Sequence, residues 1–142
     1  MSHKIYTNKY QANTAQFSNP AAMVVALCEK AISCISTARI AHEQNDNIAY
    51  CKNLGIVQEI IHLISATLDS NPNDPNIKDV QKFYMQLSLT TSALIADKID
   101  FEKSKELLEA FRITRDTWKN VEQRYLELKN NSDDATTDGS LI

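Results

Sequence analysis

Residues 52–68 read KNLGIVQEIIHLISATL, and the pattern of this stretch decides the fold. Leu54, Val57, Ile61, Ile64 and Leu68 recur at intervals of three and four, the spacing of one face of an α-helix. Ile56, Ile60 and Leu63 recur at four and three on the adjacent face, so the apolar arc approaches half the circumference. A surface helix needs a narrower stripe. A segment this apolar requires neighbours on two sides, or one neighbour and an external partner.

The rest of the chain supplies helices to pack against it. The sequence has 142 residues, 43% of them hydrophobic and 23% charged, which suits a single domain with its own core. Two glycines and three prolines are too few turn formers for a many-stranded β protein, so an all-helical fold is expected. The formal net charge of -3 and the pI near 5.6 provide no basic field for phosphates, and nucleic acid is not an expected partner. Cys28, Cys34 and Cys51 are odd in number and lack CxxC spacing, which reads as reduced thiols, the first two inside a helix. No N-terminal run resembles a signal peptide and no segment reads as a membrane span, so the expected location is the cytoplasm.

Outward from the central stretch, residues 1–18 are polar with separated aromatics at Tyr6, Tyr10 and Phe17, and read as an arm able to lay anchors into a groove. Asn19-Pro20 opens the first helix, with Asn19 as cap and Pro20 at the first helical position. This helix extends to about Gln44 with Val24, Leu27, Ala31, Ile35 and Ala38 as its core stripe, while Val25 and Ile32 fall on another side. Asn45-Asp46-Asn47 is a short link that implies an antiparallel neighbour. Gly55, inside the second helix, is expected to allow a close helix contact.

DSNPNDPN, residues 69–76, is a loop. The third helix follows from about Ile77 to Ala96, with Val80, Phe83, Tyr84, Leu87, Thr91 and Leu94 on one face and Met85 and Leu89 opposite. Asp100 caps a fourth helix, Phe101 to about Lys129, that uses Leu108, Phe111, Trp118, Val121, Tyr125 and Leu128. Residues 130–142 have too little apolar content to order. The expected architecture is an all-α, antiparallel up-down four-helix bundle over residues 19–129, with an N-terminal arm and a disordered C-terminal tail.

Catalytic chemistry finds little support. Glu59 and His62 form one E-x-x-H pair, but a di-metal carboxylate bundle needs a second copy and further inward glutamates. No glycine-rich phosphate or oxyanion loop accompanies any nucleophile. Neither a cofactor, a metal nor an enzymatic activity is expected. For Ile56, Ile60 and Leu63, burial between two neighbouring helices and docking of a partner are both open readings. Met85 and Leu89, opposite the main stripe of their helix, read more readily as an adaptable binding surface.

Three stretches together resemble the flagellin export chaperone family FliS. Tyr10-Gln-Ala-Asn13 with Pro20 and AAMVVAL is similar to the family's tyrosine arm and first helix. Lys52-Asn53-Leu54 leading into Val57-Gln58-Glu59-Ile60-Ile61 and Leu68 is similar to its second helix. Leu107-Leu108, Phe111-Arg112 and Arg115-Asp116-Thr117-Trp118, preceded by Asp100, are similar to its last. The match spans residues 6–126 and is weakest over 69–96; Cys28 stands where the family usually has tyrosine.

The resemblance implies a cytoplasmic chaperone that binds the disordered C-terminal segment of flagellin and prevents polymerisation before type III export. Other flagellar export or regulatory proteins are further implied partners. The expected client surface comprises Tyr10, Ile32, Ile56, Ile60, Leu63, Met85 and Leu89. The alternative is a helical structural or regulatory protein that homodimerises through the same faces.

Overall fold

The computed structural model describes the backbone of residues 20–67, 75–97 and 102–140, and the side chains of all of these except 75–77 and 132–140. Helix α1 runs Pro20–Glu43, α2 Asn47–Thr67, α3 Pro75–Ala96 and α4 Lys103–Ser140, with no strand among the described residues. The arm with Tyr10, the cap Asn19, most of the 69–76 loop and the turn residues Asp100 and Phe101 lie outside the described residues. Cross-links run in antiparallel order: the start of α2 meets the end of α3 at Tyr50 and Leu94, and Gln58 meets Ser88. The four helices form the up-down bundle that short links dictate.

The link between α1 and α2 is built from cap chemistry. Asn45 adopts φ 58°, a left-handed conformation that asparagine tolerates better than most residues. It lets the Asp46 N–H reach back to the Ala41 carbonyl at 2.8 Å and the Asn45 N–H to that of His42 at 3.2 Å, closing the last turn of α1. Asp46 then opens α2, its Oδ1 accepting from the Ala49 N–H at 3.1 Å. One residue ends a helix and caps the next, so the chain reverses within three positions, Gln44 to Asp46.

Helix α1 is the most deeply sunk element. Its predicted stripe of Val24, Leu27, Ala31, Ile35 and Ala38 is buried, together with Cys28 and Cys34. By length and mean hydropathy α1 would also suffice to cross a membrane, which corrects the sequence reading that no segment reaches that length. Half of its most apolar window is buried, as in the core helix of a bundle, and its two largest interfaces are with α2 and α4.

Helix α2 buries Tyr50, Leu54, Ile56, Val57, Ile60, Ile61 and Ile64. Gln58 faces α3, and Ile60 lies about 160° around the helix from it. The Ile56, Ile60 and Leu63 face is thereby left to α1, the other large neighbour of α2. A Cβ at Gly55 would meet no neighbouring atom within 4 Å, so this glycine does not serve a close helix contact as its position in the pattern suggests.

The third and fourth helices depart most from their periodicity. Tyr84, Leu87, Thr91 and Leu94 of α3 are buried as expected, but Val80 and Phe83 are exposed. In α4, Leu108 and Phe111 are buried and Trp118 packs against the core, whereas Val121, Tyr125 and Leu128 are exposed. The last buried residue of α4 among those described is Thr114, although α1 still runs beside α4 past this point, where Lys119 pairs with Glu29 at 3.6 Å. Residues 130–140 continue the course of α4 with no apolar face to pack, as expected of a tail.

Candidate binding surface

The surface is centred on α3, because this helix is held from the side and left bare on its outer face. On the α2 side the seam is polar. The Gln58 amide donates to the Ser88 carbonyl at 3.0 Å and to Ser92 Oγ, and Ser88 Oγ returns a bond to Gln58 Oε1 at 2.9 Å. At the far end the buried Tyr50 hydroxyl donates to the Leu94 carbonyl at 2.7 Å, one of the last carbonyls of α3, which has no partner within its own helix. Small polar side chains along this seam leave space, and a groove of about 450 Å³ opens between Ile61, His62, Ser65 and Ala66 of α2 and Gln81, Tyr84, Met85 and Ser88 of α3.

On the α4 side a second furrow of about 380 Å³ is lined by Phe83, Ala110 and Ile113, with Glu106 and Glu109 at its rim. Of the four main helix interfaces, α3 with α4 is the smallest. Its described polar link joins the Tyr84 hydroxyl to Trp118, whose indole N–H can only donate. Cys28 of α1 is close enough to Tyr84, and Arg115 to Cys28, for their charges to be felt. Burial pushes the Tyr84 hydroxyl up to about 12, opposed by the Trp118 bond, and pushes the Cys28 thiol up to about 12, opposed by the Arg115 charge. Cys28 is therefore a protonated core residue with no nucleophilic character at neutral pH.

The residues expected to line a partner surface separate into groups. Met85 and Leu89 are 64% and 63% exposed and stand one helical turn apart on the outer face of α3. Leu63 and Ile32 are half-buried and packed against the core. Ile56 at 7% and Ile60 at 0% exposure belong to the core itself, which corrects the expectation of an open strip along α2. The two neighbours α1 and α3 between them absorb the wide apolar arc. Tyr10 lies outside the described residues.

One open apolar surface is thus on α3 and its flanks, where Phe83 and Ile113 join Met85 and Leu89. Sequence reasoning assigned Phe83 to the core and did not single out Ile113. A signal for the seam was present in Ser88 and Ser92, four apart on α3: two small polar residues beside a core stripe mark an interface that does not close tightly. Among the described residues no three histidine, cysteine or acidic side chains converge as a metal site. His62 stands exposed on the groove wall.

These features define an all-α four-helix bundle with an apolar flank open on its third helix. The family model for the flagellar protein FliS matches residues 2–125, and the chain belongs to that family. FliS proteins are cytoplasmic chaperones of flagellar export that bind flagellin, and the family is not enzymatic. Comparison with curated proteins returns no match.

Proposed function

We propose that this chain binds the disordered C-terminal segment of flagellin and keeps it from polymerising before type III export, using the outer face of α3 and the α2–α3 groove. The observation that carries this reading is the exposed pair Met85 and Leu89 beside a groove of about 450 Å³, in a chain of the FliS family. An unfolded segment that must hide an apolar assembly surface needs an apolar acceptor outside the chaperone's own core, and no nucleotide is required. Methionine suits such an acceptor because its flexible thioether adapts to more than one contour. Leu63, Ile56 and Ile60 lie on the α1 side of α2 and, like Ile32 of α1, are not among the residues that line this groove, whereas Tyr10 of the arm is assigned to the client surface by the family resemblance.

The test is calorimetric titration of a flagellin C-terminal peptide into the wild-type chain and into Met85→Asp and Leu89→Asp. Each substitution is expected to weaken binding at least tenfold while leaving the melting temperature within about 2 °C, the usual outcome at an exposed position of a domain this size. Unchanged affinity in both variants would overturn the assignment of this surface.

A second reading, self-association, is favoured by the exposed Val121, Tyr125 and Leu128 of α4, which recur at four and three as the seam of a helix pair does. Light scattering separates the two: a monomer that forms a one-to-one complex with peptide supports the chaperone, and a homodimer indifferent to peptide supports the alternative.

A further inference from the structure

The four helices are not equally cemented. Helix α1 buries ten residues and α2 seven. Among the described side chains of α3 only Tyr84, Leu87, Thr91 and Leu94 are buried, and the Thr91 hydroxyl spends its bond on the Leu87 carbonyl of its own helix. Helix α4 buries three hydrophobic residues, Leu107, Leu108 and Phe111, as many as α3, but α4 has one of the two largest interfaces of the bundle and α3 has neither, so α3 is the least firmly held.

The seams of α3 point the same way. Its bonds to α2 through Gln58, Ser88 and Ser92 join groups that are part-buried or exposed, and water can replace them at small net cost. Its contact with α4 is the smallest of the four main interfaces, and a furrow runs along each side. Lifting α3 away changes little for Met85 and Leu89, which already face solvent. The other three helices keep the two largest interfaces of the bundle, α1 with α4 and α1 with α2.

We propose that α3 opens from the bundle as one unit in the native state, while α1, α2 and α4 stay packed. Met85 and Leu89 travel with α3, whereas Ile61 and His62 of the opposite groove wall stay behind. Opening therefore splits the α2–α3 groove, and a ligand seated across it holds α3 shut. This last step rests on the client site proposed above; the opening itself does not.

Native-state hydrogen exchange on the full chain, followed with added denaturant, tests the opening. Amides around Leu87–Leu94 are expected to exchange at least tenfold faster than those around Ala31–Ala38, with a shared denaturant dependence smaller than that of α1. Equal protection in α1 and α3 would overturn the proposal, as would exchange in α3 graded residue by residue with no shared dependence.

Asn45→Ala provides a second readout, because it strains the α1–α2 link without touching α3. If α3 opens independently, exchange in α1 and α2 rises several-fold and exchange in α3 stays as it was. If the helices part only together, all rise by the same factor and the proposal falls. Adding flagellin C-terminal peptide is expected to slow α3 exchange selectively. Slowing confined to other helices would count against the client groove alone, leaving the opening to be judged by the first two measurements.

Discussion

Helices α2 and α3 are nearly equal in length, 21 and 22 residues, and pack against each other, yet they dispose of their apolar side chains in opposite ways. Helix α2 is apolar over almost half its circumference and, Ile48 at its start apart, hides most of it, because α1 covers one side and α3 the other. Helix α3 carries a narrower core stripe and leaves Val80, Phe83, Met85 and Leu89 outside. The amount of apolar surface on a helix does not tell how much of it is exposed. Position does: α2 has one large and one moderate interface, whereas α3 has that same moderate one and a slight one. Of this pair, the less hydrophobic helix carries the open surface.

The most direct way to break this contrast is to shorten one side chain on each helix. Ile60→Ala, at a position with 0% exposure, is expected to lower unfolding free energy by about 2–5 kcal/mol. Leu89→Ala, at 63% exposure, is expected to change it by less than about 0.5 kcal/mol. Urea unfolding monitored by circular dichroism measures both. Equal losses would mean that α3 is as firmly buried as α2, and the contrast would fail.

Alkaline pH probes the point where α1, α3 and α4 meet. In the unfolded chain Cys28 ionises near 9 and Tyr84 near 10, whereas burial raises both to about 12 in the folded protein. Above pH 9 the unfolded state therefore binds fewer protons than the folded state, and stability falls as pH rises. Their contribution is fully present below pH 9 and is lost as pH climbs towards 12. Cys28→Ala is expected to flatten the slope from pH 9 upwards, and Tyr84→Phe the slope from pH 10. Denaturant midpoints across this range give the measurement, and an unaltered slope in both variants would remove the cluster as its cause.

How much of this was legible in the sequence depended on what each signal encodes. Periodicity located all four helices, and every residue it placed in the core stripe of α1 is buried, but Val25, read as lying on another side, is buried too because that helix is covered on more than one face. The Asn45-Asp46 turn was equally readable, since left-handed backbone and N-cap chemistry belong to those residue types themselves. Periodicity identifies a face and says nothing of what lies opposite it. Val121, Tyr125 and Leu128 continue the spacing of Phe111 and Trp118, yet they are left exposed. The same gap hid the fate of Ile56 and Ile60, whose burial depends on how closely α1 approaches α2. The polar seam of Gln58 with Ser88 and Ser92 joins residues about thirty positions apart, a pairing that a linear pattern does not contain.

That seam yields a smaller test of the same contrast. Tyr50→Phe keeps the ring in place and removes the hydroxyl that bonds the Leu94 carbonyl, leaving a buried acceptor at the end of α3 without its partner. The expected loss is about 1–2 kcal/mol by denaturant unfolding. A comparable loss of protection should appear at the C-terminal end of α3 in hydrogen exchange. A neutral outcome would mean that water replaces the hydroxyl freely, and that this end of α3 is more open than its burial indicates.

The smallest effect sharpens the comparison from the α2 side. Gly55 sits in the middle of the best-buried half of the bundle, where a glycine ordinarily marks close backbone approach, but no atom lies within 4 Å of where its Cβ would stand. Its backbone is not in the left-handed region, so alanine introduces no strain. What remains is the entropy that glycine loses on becoming helical, and Gly55→Ala is expected to raise stability by about 0.5–1 kcal/mol. A loss in thermal or urea unfolding would reveal a neighbour pressed against α2 at this turn. The covered flanks of α2 would then extend to a third side, and the open surface of the bundle would be confined still more closely to α3.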